Sequence, residues 1–147
     1  MYTSEKSTKL TLYITYTLMV LLGILTVVAV PGARWFFGSF ALESTIKIIL
    51  VAFYASCPAG WLALIFIMKI LKNILSGDVF TAKTVNYLRY LSWCCCFVAL
   101  VAGVCAIFYL PLAIFTLASA FMALILRVLK NVMAKATEIK SENELTI

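Results

Sequence analysis

Cysteine has the widest chemical reach of any side chain in this sequence, and it occurs five times, as Cys57, Cys94, Cys95, Cys96 and Cys105. A thiolate can bind zinc, act as a nucleophile or exchange with a disulfide, but each use needs a partner at a defined spacing. Cys94, Cys95 and Cys96 are consecutive. On a helix such neighbours point about 100° apart and cannot bridge one another. There is no C-x-x-C pair and no histidine to complete a zinc set or to activate a nucleophile. All five lie inside apolar runs, where cysteine behaves as a small hydrophobe that packs or faces lipid.

The six acids offer no more. Glu5, Glu43, Asp78, Glu138, Glu142 and Glu144 stand at the ends of apolar runs or between them. General acid–base catalysis needs a titratable group tuned by its surroundings, and no such constellation assembles here. Neither a phosphate-cradling glycine loop nor a metal-ligand spacing is present. The reading is a protein that is not an enzyme and needs no cofactor or metal.

What remains is a matrix of oil. Hydrophobic residues make up 65% of the 147 and charged residues 12%, against roughly 45–50% and about 25% in ordinary globular chains. A soluble chain of this size has too much surface to hide that excess. The expected fold is therefore all-α: an integral membrane four-helix bundle forming one domain. A bilayer core about 30 Å thick takes about 20 apolar residues of helix. Spans are expected over about 10–30, 46–69, 90–109 and 111–129. The first is too long for a signal-peptide core and is read as retained, closed by the Pro31-Gly32 that follows it. The last two share one apolar run, Leu91 to Leu126. As a single helix it would be about 54 Å long, so the chain must turn, and Pro111 marks the place.

The net charge of +6 is distributed unevenly. Lys6, Lys9, Lys69, Lys72, Lys83, Arg89, Arg127, Lys130, Lys135 and Lys140 fall on one side of the four crossings, and only Arg34 and Lys47 on the other. The positive-inside rule then places both termini in the cytoplasm, with a cytoplasmic segment at 70–89 and a helical extension and tail at 130–147. These cations flank apolar runs, so anionic membrane lipids are their expected counterpart and direct nucleic-acid binding is not expected. Glu43 and Lys47, four apart at the outer start of the second helix, suit an ion pair. Pro58 lies in mid-span within "SCPAGW" and is a candidate helix kink, although proline is common in membrane helices without further meaning.

Two polar segments remain. In "SGDVFTAKTVNYLR", Gly77 offers a positive φ after the second helix, Asp78 is turn chemistry, and Thr81 is an N-cap for the third. At the other end, Ile125, Leu129, Val132, Met133, Ala136 and Ile139 form a helical stripe that carries the fourth helix about three turns past the membrane. The closing "ENELTI" alternates Leu145 and Ile147 with polar residues. That alternation suits an extended strand able to add to a partner's sheet edge, and a frayed tail is the bland alternative.

With four short spans, these two segments resemble the YoaS-like family of small bacterial membrane proteins. Gly77, Phe80, Thr81, Asn86, Leu88 and Arg89 match the pattern that enters the family's third helix. Glu142, Asn143, Leu145, Thr146 and Ile147 match its ending, with Glu144 where the family usually has Asp. The family has no agreed activity. Its genes often neighbour one for a small helix-turn-helix regulator of the Cro/CI type. The resemblance therefore implies a bacterial cell-membrane protein whose cytoplasmic segments form one recognition surface for such a regulator. Its candidate residues are Asp78, Phe80, Thr81, Asn86, Arg89, Glu142, Asn143, Leu145 and Ile147. The alternative is an accessory or immunity subunit of a membrane transporter or peptide exporter, docked through small-residue faces at Gly60 and Gly103. A homo-oligomer is compatible with either.

Overall fold

The computed structural model describes residues 2–38 and 42–146 of the chain. Four helices account for nearly all of them: α1 (Tyr2–Phe37), α2 (Glu43–Leu75), α3 (Ala82–Ala106) and α4 (Leu112–Leu145). Among the described residues there is no strand. Each helix is long and apolar enough to cross a membrane, and the chain is a multi-pass membrane protein. Helices are what such a sequence must form, because lipid offers no partner to an unpaired backbone N–H or C=O. Threonines in α1 follow the same economy. Thr11, Thr15, Thr17 and Thr26 each donate their hydroxyl to the carbonyl one turn back, so none brings an unsatisfied group into the apolar phase.

The helices alternate in direction and pack in serial order: α1 on α2, α2 on α3, α3 on α4. Among the described residues no other pair of helices comes into backbone contact, so the bundle is open between α1 and α4. Register is fixed by a few specific contacts. The Tyr54 hydroxyl donates to the Thr26 carbonyl at 2.8 Å across α1 and α2. Ser92 donates to the Ala123 carbonyl at 3.1 Å across α3 and α4. Small residues bring the backbones close. A Cβ on Gly60 would stand 3.6 Å from Leu22, and one on Gly103 would stand 3.4 Å from Thr116. With little hydrophobic drive between helices in lipid, such close packing carries the association.

Several sequence expectations change. Proline does not close the first helix: α1 passes through Pro31 and ends at Phe37. Pro31 has no N–H to give the Val27 carbonyl, a loss that membrane helices tolerate because side chains and small local adjustments can satisfy the freed group. Helix α2 likewise contains Pro58 without ending there, and a proline in mid-helix can bend the axis while the helix continues. Glu43 and Lys47 make no ion pair. Both instead line a pocket of about 360 Å³ with Arg34. The turn between α3 and α4 falls at 107–111, with Pro111 as the residue capping α4. Its bonds are tight turns, from Ile107 N–H to the Val104 carbonyl and from Leu112 N–H to the Tyr109 carbonyl.

The largest difference is at the C-terminus. The extended-strand reading of "ENELTI" is overturned, because α4 continues as helix to Leu145. A Lys140–Glu144 contact at 3.9 Å bridges one turn, and the Ser141 and Thr146 hydroxyls donate to the Glu138 and Glu142 carbonyls. An alternation spanning only two apolar residues was too short to outweigh Lys, Glu and Leu, which are good helix formers.

Candidate functional site

The α2–α3 connection is a closed knot, not a loose loop. Helix α2 ends in a Schellman motif: Gly77 takes φ +85°, its N–H reaches the Ile74 carbonyl, and the Asp78 N–H reaches that of Asn73. Thr81 then caps α3 by accepting from the Thr84 N–H at 3.4 Å. Thr84 is the centre of the knot and is only 1% exposed. Its hydroxyl pairs with that of Thr81 at 3.1 Å and accepts from Asn73 Nδ2 at 3.4 Å. Sequence reasoning overlooked Asn73. The signal available was a Thr-x-x-Thr pair opening a helix, facing an Asn three residues before the preceding Ser-Gly.

Around this knot the candidate residues divide. Asp78, Phe80 and Asn86 are exposed. The Asp78 carboxylate makes no hydrogen bond or ion pair among the described residues. Behind the knot Phe66 stacks on Tyr87 and Tyr90, with ring centroids 5.9 and 5.4 Å apart. Lys69 Nζ lies over Tyr87 at 5.5 Å from its centroid, a cation–π contact at the level where a basic helix end meets headgroups.

Arg89 has a different setting. It lies one turn before Ser92, whose bond to Ala123 sets the α3–α4 register. Arg127 lies one turn after Ala123, so the two guanidinium-bearing positions come level. Arg89, Ser92, Trp93, Arg127 and Lys130 together line a pocket of about 230 Å³. None of the three cations has an acidic partner within 4 Å among the described residues. Counting these charges for orientation found them all. It could not show that three of them converge, because register between helices is not written in either helix alone.

Glu142, Asn143 and Leu145 lie elsewhere. Continuing the α3–α4 register, Lys135 is the last α4 residue opposite α3. The remaining ten residues to Leu145 project about 15 Å further, and Leu145 is 87% exposed. No described hydrogen bond, ion pair or ring contact joins this end to the α2–α3 knot. Ile147 lies outside the described residues.

The five cysteines are all free, half-buried within helices, and among the described residues no three His, Cys, Asp or Glu side chains converge on a point. Glu5 and Lys9 on α1 lie at the same end of the helices as Arg89, but among the described residues α1 packs on α2 and makes no backbone contact with α3 or α4. They form an exposed pair at 2.7 Å. Hydrogen bonding and charge from Lys9 hold the Glu5 carboxyl below its usual range, and Glu5 raises Lys9 in return.

Comparison with curated proteins and with solved structures gives no match. A family model described as "Protein of unknown function (DUF2975)" matches residues 4–147, which is nearly the whole chain. The chain therefore belongs to the DUF2975 family.

Proposed function

We propose that this is a non-enzymatic, multi-pass protein of the bacterial cell membrane, with both termini cytoplasmic, that binds a helical cytoplasmic partner through the projecting end of α4. The observation that carries the reading is a seam that runs along the last part of α4 into that arm. Leu129, Val132, Ala136, Ile139 and Asn143 follow at alternating spacings of three and four, the pattern of a coiled-coil face. Val132 and Ile139 are 60% and 56% exposed, although the flanking Lys130, Lys135 and Lys140 keep this stretch out of the hydrocarbon. An apolar stripe left open to water is a docking face for another amphipathic helix. An asparagine within such a seam fixes register at some cost in stability, which suits recognition more than packing.

A small helix-turn-helix regulator fits as partner, on the resemblance to YoaS-like proteins and on its being all helix. The accessory-subunit reading has less support, because Gly60 and Gly103 are already occupied by Leu22 and Thr116 of the same chain.

The test is affinity capture from gently solubilised native membranes, read by mass spectrometry, comparing the wild type with Val132→Asp/Ile139→Asp and with Phe80→Ser. Loss of a helix-turn-helix protein from the double variant alone supports the arm. Loss with Phe80→Ser alone moves the site to the α2–α3 knot. Equal capture by all three sinks the proposal.

A further inference from the structure

We infer that the α3–α4 face holds one anionic glycerophospholipid, its phosphate between Arg89, Arg127 and Lys130 and an acyl chain in the groove that continues from them. The inference does not rest on the partner proposed above.

The charged part comes first. Three cations on two helices share one pocket without an acid in reach among the described residues. Like charges brought together repel, and an anion bound among them relieves that repulsion. Arginine suits a phosphate, because its fork of N–H donors matches two oxygens at once. Trp93 stands one turn after Arg89 in the same pocket. Its indole N–H is a donor at the depth where tryptophan marks the boundary between headgroup and hydrocarbon.

The apolar part decides between a free anion and a lipid. Ser92 and Arg127 also line a second cavity, a groove of about 540 Å³ that leads away from the charges. Its walls are Cys96, Ala99 and Leu100 on α3, with Thr116, Ala120 and Leu124 on α4. The Thr116 hydroxyl is spent on the Leu112 carbonyl and the Ser92 hydroxyl on that of Ala123, so the trough offers methyl and methylene surface. From Arg127 back to Thr116 the helix rises about 16 Å, close to half of a ~30 Å hydrocarbon core. The groove is one leaflet deep. A charged mouth opening on a trough of that length matches a phosphate with a fatty chain below it, and basic pockets between membrane helices are a known solution for acidic headgroups.

The experiment uses the full chain in mild detergent, with bound lipid counted by native mass spectrometry during titration. The ligands are phosphatidylglycerol and phosphatidylcholine carrying the same chains. The wild type is expected to retain one phosphatidylglycerol at least about tenfold more tightly than phosphatidylcholine. Arg127→Gln/Lys130→Gln should weaken it about 30-fold, each cation near a membrane surface contributing about a fivefold factor. Arg34→Gln, at the other end of the helices, should change nothing. Ala120→Phe keeps every charge but fills the groove, and should weaken retention by a similar margin. Glycerol phosphate, which has the headgroup without chains, should not compete. The inference is overturned by equal retention of the two lipids, by unchanged binding in either variant, or by glycerol phosphate displacing the lipid at equal concentration. All variants lie on exposed or half-buried positions, and matching helix content by circular dichroism separates lost binding from lost fold.

Discussion

Ser92 on α3 donates its hydroxyl to the backbone carbonyl of Ala123 on α4 at 3.1 Å, and both residues are buried. That bond stands where the apolar groove meets the cationic pocket, so it sets the register that brings Arg89 level with Arg127. Its direct energetic weight should be modest. Hydrogen bonds between membrane helices average about 0.6 kcal/mol, and the Ala123 carbonyl keeps its bond within α4. Ser92→Ala should therefore cost only about 0.5–1 kcal/mol in reversible unfolding from detergent micelles. A loss above roughly 2 kcal/mol would mean that the hydroxyl carries more than register.

Gly103 should behave more sharply with size. A Cβ there would meet Thr116 Cγ2 at 3.4 Å, a contact the methyl can yield to by a few tenths of an ångström. Gly103→Ala should stay within about 1 kcal/mol of wild type, because the gain in helix propensity offsets the tight contact. Gly103→Leu places a branched chain between α3 and α4 and should cost about 2–3 kcal/mol. Thermal unfolding of the three proteins in one detergent would rank them. Equal stability would show that the helices can separate here without loss.

Thr84 is the test of the knot between α2 and α3. Valine matches its shape but takes away the hydroxyl that pairs with Thr81 and accepts from Asn73. Thr84→Val should cost about 1–2 kcal/mol and leave Asn73 without its acceptor. Limited proteolysis should then cut faster at Lys83, beside the capped connection. Removing the cap itself with Thr81→Ala should cost about 1 kcal/mol, by loss of the Thr84 N–H partner.

How much of this was legible in advance follows from the range of each interaction. Local chemistry could be read: Gly77 with its positive φ, the Thr81 cap and the turn at Pro111 depend on residues a few positions apart. So did the number of apolar helices, which depends only on run length. Helix ends were misread where one signal was taken alone, as at Pro31 and in the alternation of Leu145 with Ile147. What no single segment could reveal was lateral. The meeting of Arg89 with Arg127 and Lys130 requires knowing how α3 slides against α4. A register shift of one turn would dissolve that site while leaving every local pattern intact.

The Glu5–Lys9 pair gives a pH dependence whose sign can be worked out. Glu5 is lowered, so its contribution is full above the unfolded carboxyl value near 4.5 and fades as pH falls through the still lower folded value. Lys9 is raised, so its contribution is full below 10.5 and fades as pH rises through the higher folded value. Between those limits the pair holds the first turns of α1. Both groups are exposed, so the effect is local fraying and not global unfolding. After correction for intrinsic rate, amide exchange at residues 6–10 should be slowest from about pH 5 to 10 and should quicken below pH 4. Glu5→Gln should remove that acid limb.

Orientation is the prediction on which the cytoplasmic reading depends. Lys83, on the capped connection, and Lys140, on the projecting arm, lie at the same end of the alternating helices, while Arg34 and Lys47 lie at the other. Trypsin added to inside-out vesicles should release the C-terminal peptide after Lys140, because the arm stands about 15 Å clear of α3. In right-side-out vesicles the same peptide should be protected, and only cleavage near Arg34 or Lys47 should be seen. The reverse pattern would place the α4 seam and the cationic pocket outside the cell. A cytoplasmic regulator would then have no access to Val132 and Ile139, and the arm would have to serve an extracytoplasmic partner. Cleavage after Lys140 is the more telling cut, since the knot around Thr84 protects Lys83 whichever way the chain faces.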